Sequence, residues 1–193
     1  MKKVAFILNP ISGTGRKKTI LSYIEKVAAL HPEYAVEFYR TKCAGDACNA
    51  AKEFVAKGYD AVVAIGGDGT VNEVAEGLIN SGVKLGIIPV GSGNGLARHL
   101  NIPLNYQRAV DAVFEGRPQF IDAGKINGKV FFCTAGIGFD AVVGEKFNTS
   151  GTRGLMTYVE FCAKEYVKYR PEKYVIAMNG SRFTSKAFLI TFA

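Results

Sequence analysis

Tryptophan is absent from these 193 residues, histidine occurs twice (His31 and His99) and cysteine four times (Cys43, Cys48, Cys133, Cys162). Two histidines give no H-E-x-x-H pair and little material for a histidine-based triad, so metalloprotease and serine hydrolase chemistries fall away. The cysteines show neither the C-x-x-C spacing of a zinc site nor the density of a disulfide scaffold, and read as reduced thiols. Long apolar runs are also lacking. The longest stretch free of Asp, Glu, Lys and Arg, Leu85 to Ala97, holds four glycines and a proline and cannot span a bilayer. Val4 to Leu8 is too short for a signal peptide and runs into Asn9-Pro10, so the expectation is a cytoplasmic protein.

What is present is a core-forming composition, 48% hydrophobic and 21% charged, with a net charge of +7. The excess is concentrated late: residues 146 to 193 carry 8 basic and 3 acidic groups. Such a segment suits an anionic membrane or a nucleic acid on electrostatics alone, and a plain solvated surface equally. No nucleic-acid recognition motif accompanies it, so nucleic acid is not expected as a partner.

Over the first 90 residues strand and helix alternate, the pattern of a parallel sheet covered on both faces. Val4 to Leu8, Val36 to Tyr39, Ala61 to Ile65 and Leu85 to Ile88 read as strands. Between them, Arg16 to Leu30, a helix capped by Asp46 and carrying Ala47, Ala50, Ala51, Phe54 and Val55, and a third bearing Val71, Val74, Ala75, Leu78 and Ile79 and ended by Gly82, read as amphipathic helices. After about residue 117 the pattern changes. Asn127-Gly128 and Asn179-Gly180 each sit between apolar runs as two-residue hairpin turns, the second followed by one strand from Arg182 to Phe192. A helix with a core stripe of Leu155, Tyr158, Val159, Cys162, Ala163 and Tyr166 lies between them. The expectation is therefore an α/β domain over residues 1–117 and part of a β-rich antiparallel domain over 118–193, in a chain that stops inside an apolar run.

Three glycine-rich turns follow strands of the first domain: Asn9 to Arg16, Gly66-Gly67-Asp68-Gly69-Thr70, and Gly91-Ser92-Gly93-Asn94-Gly95. Glycine lets backbone N–H groups approach a phosphate closely, and a helix N-terminus behind each turn favours negative charge. Singly, each also reads as a tight connection; three at one edge of one sheet point to a polyphosphate site. Neither G-x-x-x-x-G-K-[ST] nor G-x-G-x-x-G is present. Asp68, set among phosphate-binding amides, calls for a divalent cation between carboxylate and phosphate or for a role as base; as an alternative it caps the following helix.

These motifs, together with Asn72-Glu73, Pro89 and Gly136 with Gly138-Phe139-Asp140-Ala141, resemble the catalytic family of diacylglycerol kinases, in particular the soluble bacterial lipid kinases related to sphingosine and ceramide kinases. The resemblance implies a parallel-sheet nucleotide domain, related to that of NAD kinases, followed by a β-rich lipid-facing domain. It implies ATP and Mg²⁺, with Asp68 as catalytic and metal-holding residue. Asn9, Ser12, Gly13, Gly67, Gly69, Thr70, Glu73, Gly91, Ser92, Gly93 and Asn94 match nucleotide-site positions. Asp140 lies at the approach to the lipid, where it orients a substrate hydroxyl or caps a helix. The partners implied are ATP and a lipid hydroxyl at an anionic membrane surface, reached peripherally from the cytoplasm, with a homodimer left open. Diacylglycerol kinases usually read Gly-Thr-x-Asn-Asp in the third motif; Gly91-Ser92-Gly93-Asn94-Gly95 is closer to the sphingoid-base kinases.

NAD kinases share the Gly-Gly-Asp-Gly turn but carry a separate Asn-Glu pair, whereas Asn72-Glu73 lies on the same helix as the turn. A protein that binds nucleotide or lipid without turnover is the third reading. The family's downstream acidic Asp-Gly-Glu motif has no match here, and if residue 193 ended the polypeptide, transfer would be slow or absent. Asp68→Asn is expected to abolish transfer in the intact enzyme with the fold unharmed.

Overall fold

The computed structural model describes residues 1–12, 16–151 and 155–192. Two compact units make up the chain, Met1–Cys133 and Thr134–Ala193.

In the first unit, β1 (Lys2–Leu8), β2 (Tyr34–Arg40), β3 (Ala61–Gly66) and β4 (Lys84–Pro89) form one sheet in the order β2-β1-β3-β4. Every pairing is parallel, with Phe6 opposite Phe38 on one side and Val63 on the other. Side chains alternate between the faces. Ala5, Ile7, Val62, Ala64 and Ile87 pack under α2 (Asp46–Ala56) and α3 (Asp68–Leu78), while Val4, Phe6, Leu8, Val63, Ile65 and Ile88 pack under α1 (Lys17–Ala28) and α5 (Tyr106–Glu115). Burial on both faces explains why these strands read as continuous apolar runs. Phe6 is fully buried against Phe38 and Phe114.

Helix α5 had no counterpart in the sequence reading. Asn105 caps it through Gln107 N–H and Arg108 N–H, and Ala109, Val110 and Phe114 face the core at i, i+1 and i+5, a spacing that could have revealed it. Two helix ends differ from expectation. Gly45, with φ +82°, occupies the N-cap of α2, and Asp46 turns backwards to accept from Tyr39 Oη–H and Lys42 N–H. Helix α3 ends at Leu78, ahead of left-handed Asn80 and well before Gly82.

Beyond Arg117-Pro118, where the sequence pattern changes, the unit continues through the hairpin β5 (Gly124–Ile126) and β6 (Lys129–Phe131). Both of its turn residues have positive φ, as a two-residue hairpin turn of this kind requires.

The second unit contains β7 (Ala135–Gly138), α6 (Phe139–Thr149), α7 (Leu155–Lys168), β8 (Glu172–Met178), β9 (Ser181–Ala187) and β10 (Leu189–Phe192). The Asn179-Gly180 hairpin joins β8 to β9 as expected, but the following strand is not continuous. It breaks at Phe188, whose ring packs against Phe139, Tyr166 and Tyr169, and β10 leaves to pair antiparallel with β7. The expected core stripe of α7 holds only in part: Tyr158 and Cys162 are half-buried, whereas Val159, Ala163 and Tyr166 are exposed. Helix α7 meets α6 through Tyr158 and Phe161 on Phe147 and through Glu165, paired with Lys146 at 2.6 Å.

Tyr59 donates to Glu37, and this hydrogen bond, with a smaller contribution from burial, pushes its pKa up to about 12. A phenol whose folded pKa exceeds its unfolded value of about 10 stabilises the protein fully below that value and loses the effect as pH rises toward 12. Urea midpoints should therefore fall between pH 10 and 12 in the native chain and fall less in Tyr59→Phe. Equal slopes in the two proteins would remove Tyr59 from the alkaline limb.

Candidate functional site

Strand order places β1 between β2 and β3, so the connections diverge at the carboxyl ends of β1 and β3, the position where open parallel sheets bind ligands. The first turn leaves β1 and the Asp68 turn leaves β3 at that point; the third turn leaves β4 beside them. Gly13 lies outside the described residues.

Three sets of contacts stitch these turns together. Asn9 accepts from Ile11 N–H through Oδ1 at 2.9 Å and donates from Nδ2 to Thr70 Oγ1 at 3.1 Å, linking the first turn to the second. Ser12 Oγ closes the first turn on Asn9 O at 2.9 Å. Thr70 is buried and lies so tightly over Gly66 that no side chain fits there. Gly67 and Gly91 pass backbone to backbone: a Cβ on Gly91 would stand 2.5 Å from Gly67 Cα.

The Asp68 carboxylate joins the second turn to the third. Oδ2 accepts from Asn94 N–H at 2.8 Å and Oδ1 from Gly95 N–H at 2.6 Å. Asp68 thus caps the short helix α4 (Gly95–His99) across space and does not cap α3 with its side chain. Asn94, left-handed and buried, braces the third turn from within, accepting from Gly91 N–H at 2.9 Å and donating to Gly91 O at 2.7 Å. Arg98 Nε holds Gly93 O at 2.9 Å. Residue type alone gave no sign of this second clamp.

The stitching leaves particular donors over. Among the described residues, nothing accepts from the N–H groups of Asp68, Gly69 and Thr70 at the start of α3, nor from those of Ser92 and Gly93 in the third turn. These are the orphan amides that make a helix start and a tight turn into an anion cradle. Asp68 stays exposed, and each oxygen accepts one amide, which leaves acceptor capacity toward solvent. No cluster of three or more His, Cys, Asp or Glu exists among the described residues. A cation held by Asp68 would take its remaining ligands from phosphate oxygens and water, the habit of Mg²⁺ with polyphosphates. The residues present fit that ion.

Glu73 accepts from Ala47 N–H of α2 at 3.2 Å. In the second unit, Asp140 lies in the first turn of α6, not at its N-cap, with Oδ1 accepting from its neighbour Ala141 N–H and the carboxylate over Gly136. Near the start of α1, an open cleft of about 440 Å³ is lined by Ser12, Arg16, Lys17, Pro89 and Gln107.

Fold and turns define the class: an α/β domain whose glycine turns gather at the carboxyl edge of a parallel sheet, followed by antiparallel strands. The chain belongs to the diacylglycerol kinase catalytic domain family, whose profile matches residues 3–126. It is 41% identical over 142 residues to a diacylglycerol kinase of Bacillus subtilis (strain 168), a stretch covering 72% of this chain and 46% of that protein. With a diacylglycerol kinase of Staphylococcus aureus the figures are 36% over 136 residues, 67% and 42%. A crystal structure of a diacylglycerol kinase from Bacillus anthracis matches 98% of this chain and 63% of its own with a TM-score of 0.74 at 31% identity. The chain spans less than half the length of these curated relatives. No helix among the described residues is long and apolar enough to cross a membrane.

Proposed function

We propose that the chain is the nucleotide-binding catalytic part of an ATP-dependent lipid kinase that phosphorylates the hydroxyl of a diacylglycerol-like or sphingoid-like lipid. The observation that supports this reading most is the paired cradle: among the described residues, the amides of Asp68 to Thr70 in one turn and of Ser92 and Gly93 in the next are left without acceptors, and the Asp68 carboxylate bonds the second of these turns to the first, so both sets would serve one polyphosphate. In this reading Asn9, Ser12, Gly67, Gly69, Thr70 and Gly91 to Asn94 shape the cradle, and Gly13 belongs to the same loop. Arg16 and Lys17 add positive charge beside it.

Mg²⁺, when bound, neutralises charge on the β- and γ-phosphates; the protein residues supply positioning and preorganised dipoles. Asn9 and Thr70 fix the first turn against the second, so phosphates meet donors that need no reorganisation. Asp140 is assigned to the lipid side, where its carboxylate would orient the attacking hydroxyl. The cationic residues beyond Lys146 would hold the protein at an anionic membrane from its cytoplasmic face, an attraction that salt should weaken.

A single-turnover assay of the intact enzyme with γ-labelled ATP and Mg²⁺ tests the proposal against diacylglycerol, sphingosine and NAD in parallel. Label in diacylglycerol or sphingosine is the expected result and names the lipid. Label in NAD would replace the reading with an NAD kinase. Nucleotide binding with no label in any acceptor would replace it with a non-catalytic binding protein.

A further inference from the structure

We infer that Phe188 is a positioning residue: its carbonyl and its ring fix the first turn of α6 and so aim the Asp140 carboxylate. This role rests on the proposed assignment of Asp140 to the lipid side, and names what holds that group in place.

Helix α6 starts without a cap of its own. Its N-cap residue is Gly138, which has no side chain to offer and stands at φ +105° and ψ −136°, a backbone conformation that side chains rarely adopt. A Cβ there would lie 2.6 Å from Phe188 O and 3.0 Å from Leu189 Cα, so only glycine lets the break between β9 and β10 press against the end of β7. At that crossing Phe188 O accepts from Phe139 N–H at 3.0 Å, one of the amides that the start of a helix cannot bond internally. The Phe188 ring lies 4.7 Å from the Phe139 ring, centroid to centroid, and 5.6 and 5.1 Å from those of Tyr166 and Tyr169. Tyr169 Oη in turn meets Tyr174 Oη of β8 at 3.1 Å. Phe139 is therefore held by its backbone and by its side chain at once, which fixes both the position and the rotation of the helix start.

Asp140 follows Phe139 directly. Its half-buried carboxylate folds back over Gly136, where no Cβ fits, and Oδ1 accepts from Ala141 N–H at 2.8 Å. Among the described residues nothing donates to Oδ2, which leaves an acceptor for a hydroxyl. The one hydrogen bond of this carboxylate reaches no further than its neighbour in the chain. Its direction thus follows the direction of the helix start, which Phe188 sets. A shift of about 1 Å in a group that orients a substrate can cost up to a hundredfold in rate.

Transfer kinetics of the intact enzyme with diacylglycerol and sphingosine in detergent mixed micelles, together with hydrogen–deuterium exchange over residues 138–142, test this. Phe188→Leu keeps apolar bulk and removes the ring. It should lower kcat/KM for the accepted lipid about tenfold, leave KM for MgATP within about twofold of native, and speed exchange. Phe188→Tyr, which keeps the ring, should restore all three toward native values. In an Asp140→Ala background Phe188→Leu should remove little more, because two residues that act through one group are not additive. Phe139→Leu takes away the other ring of the stacked pair and should repeat the pattern, so the outcome does not hang on one variant folding. Equal losses in the native and Asp140→Ala backgrounds would overturn the role in favour of general packing, and lost transfer with unchanged exchange would overturn it in favour of a direct lipid contact; in both cases an impaired Asp140→Ala leaves the lipid-side assignment standing. Native lipid transfer by Asp140→Ala would instead refute that assignment, and this role with it.

Discussion

Asp68→Asn is expected to reduce phosphate transfer by about a hundredfold or more, as loss of a preorganised charge-stabilising group does, and also to loosen the third glycine turn. The second effect comes from geometry. The two carboxylate oxygens accept from Asn94 N–H and Gly95 N–H, and an asparagine offers one oxygen and one NH₂, so one backbone donor would face another donor. Because the site is exposed, water replaces part of what is lost, and the net cost should be about 1 kcal/mol, or a fall of roughly 3 °C in Tm. Thermal unfolding, exchange over residues 92–96 and single-turnover transfer separate the two effects. Transfer within about tenfold of native would remove Asp68 from the chemistry, and an unchanged exchange pattern would remove it from the turn.

Two glycines of the same cradle should respond in opposite ways to alanine. Gly91→Ala puts a methyl 2.5 Å from Gly67 Cα, where the neighbour is backbone and cannot rotate aside. Separating the turns should cost about 1–3 kcal/mol and should impair nucleotide binding as well. Gly69 meets nothing within 4 Å and has no positive φ, so Gly69→Ala should fold as well as the native chain or slightly better, alanine being the stronger helix former. Its methyl would nevertheless occupy the space a phosphate needs to reach the Asp68–Thr70 amides, and MgATP affinity should drop about tenfold or more. A stable Gly69→Ala with native affinity would show that phosphates do not approach the start of α3. A Gly91→Ala of native stability would mean that the contact between the turns relaxes at little cost.

The different legibility of these features has a physical basis. Strand, helix and two-residue turn are local, set by side-chain period and by which residues tolerate positive φ; the four parallel strands, helices α1 to α3 and the two Asn-Gly hairpins could be read in that way. Helix α5 carries the same local signal, an Asn105 cap followed by Ala109, Val110 and Phe114 on one face. Features set by packing were harder. Nothing local marks Phe188 as a break; it becomes one because Phe139, Tyr166 and Tyr169 gather around its ring while β10 finds β7. Of the stripe on α7, Tyr158 packs on α6 and Cys162 is half-buried, while Val159, Ala163 and Tyr166 stay exposed, since the partner surface on α6 selects Tyr158, Phe161 and Glu165.

By itself the sequence determined that glycine turns would follow the strands of a parallel sheet and that Asp68 would stand among them, since both follow from residue type and short spacing. Tertiary structure decided which group each carboxylate serves. Asp68 reaches Asn94 and Glu73 reaches Ala47, each 26 residues away along the chain, and Asp46 abandons its own helix for Tyr39. A carboxylate accepts from whichever donors packing brings within about 3 Å. Those donors are chosen by the order of strands in the sheet and the approach of α2 to α3 at Gly77, neither of which is written in any short run of residues.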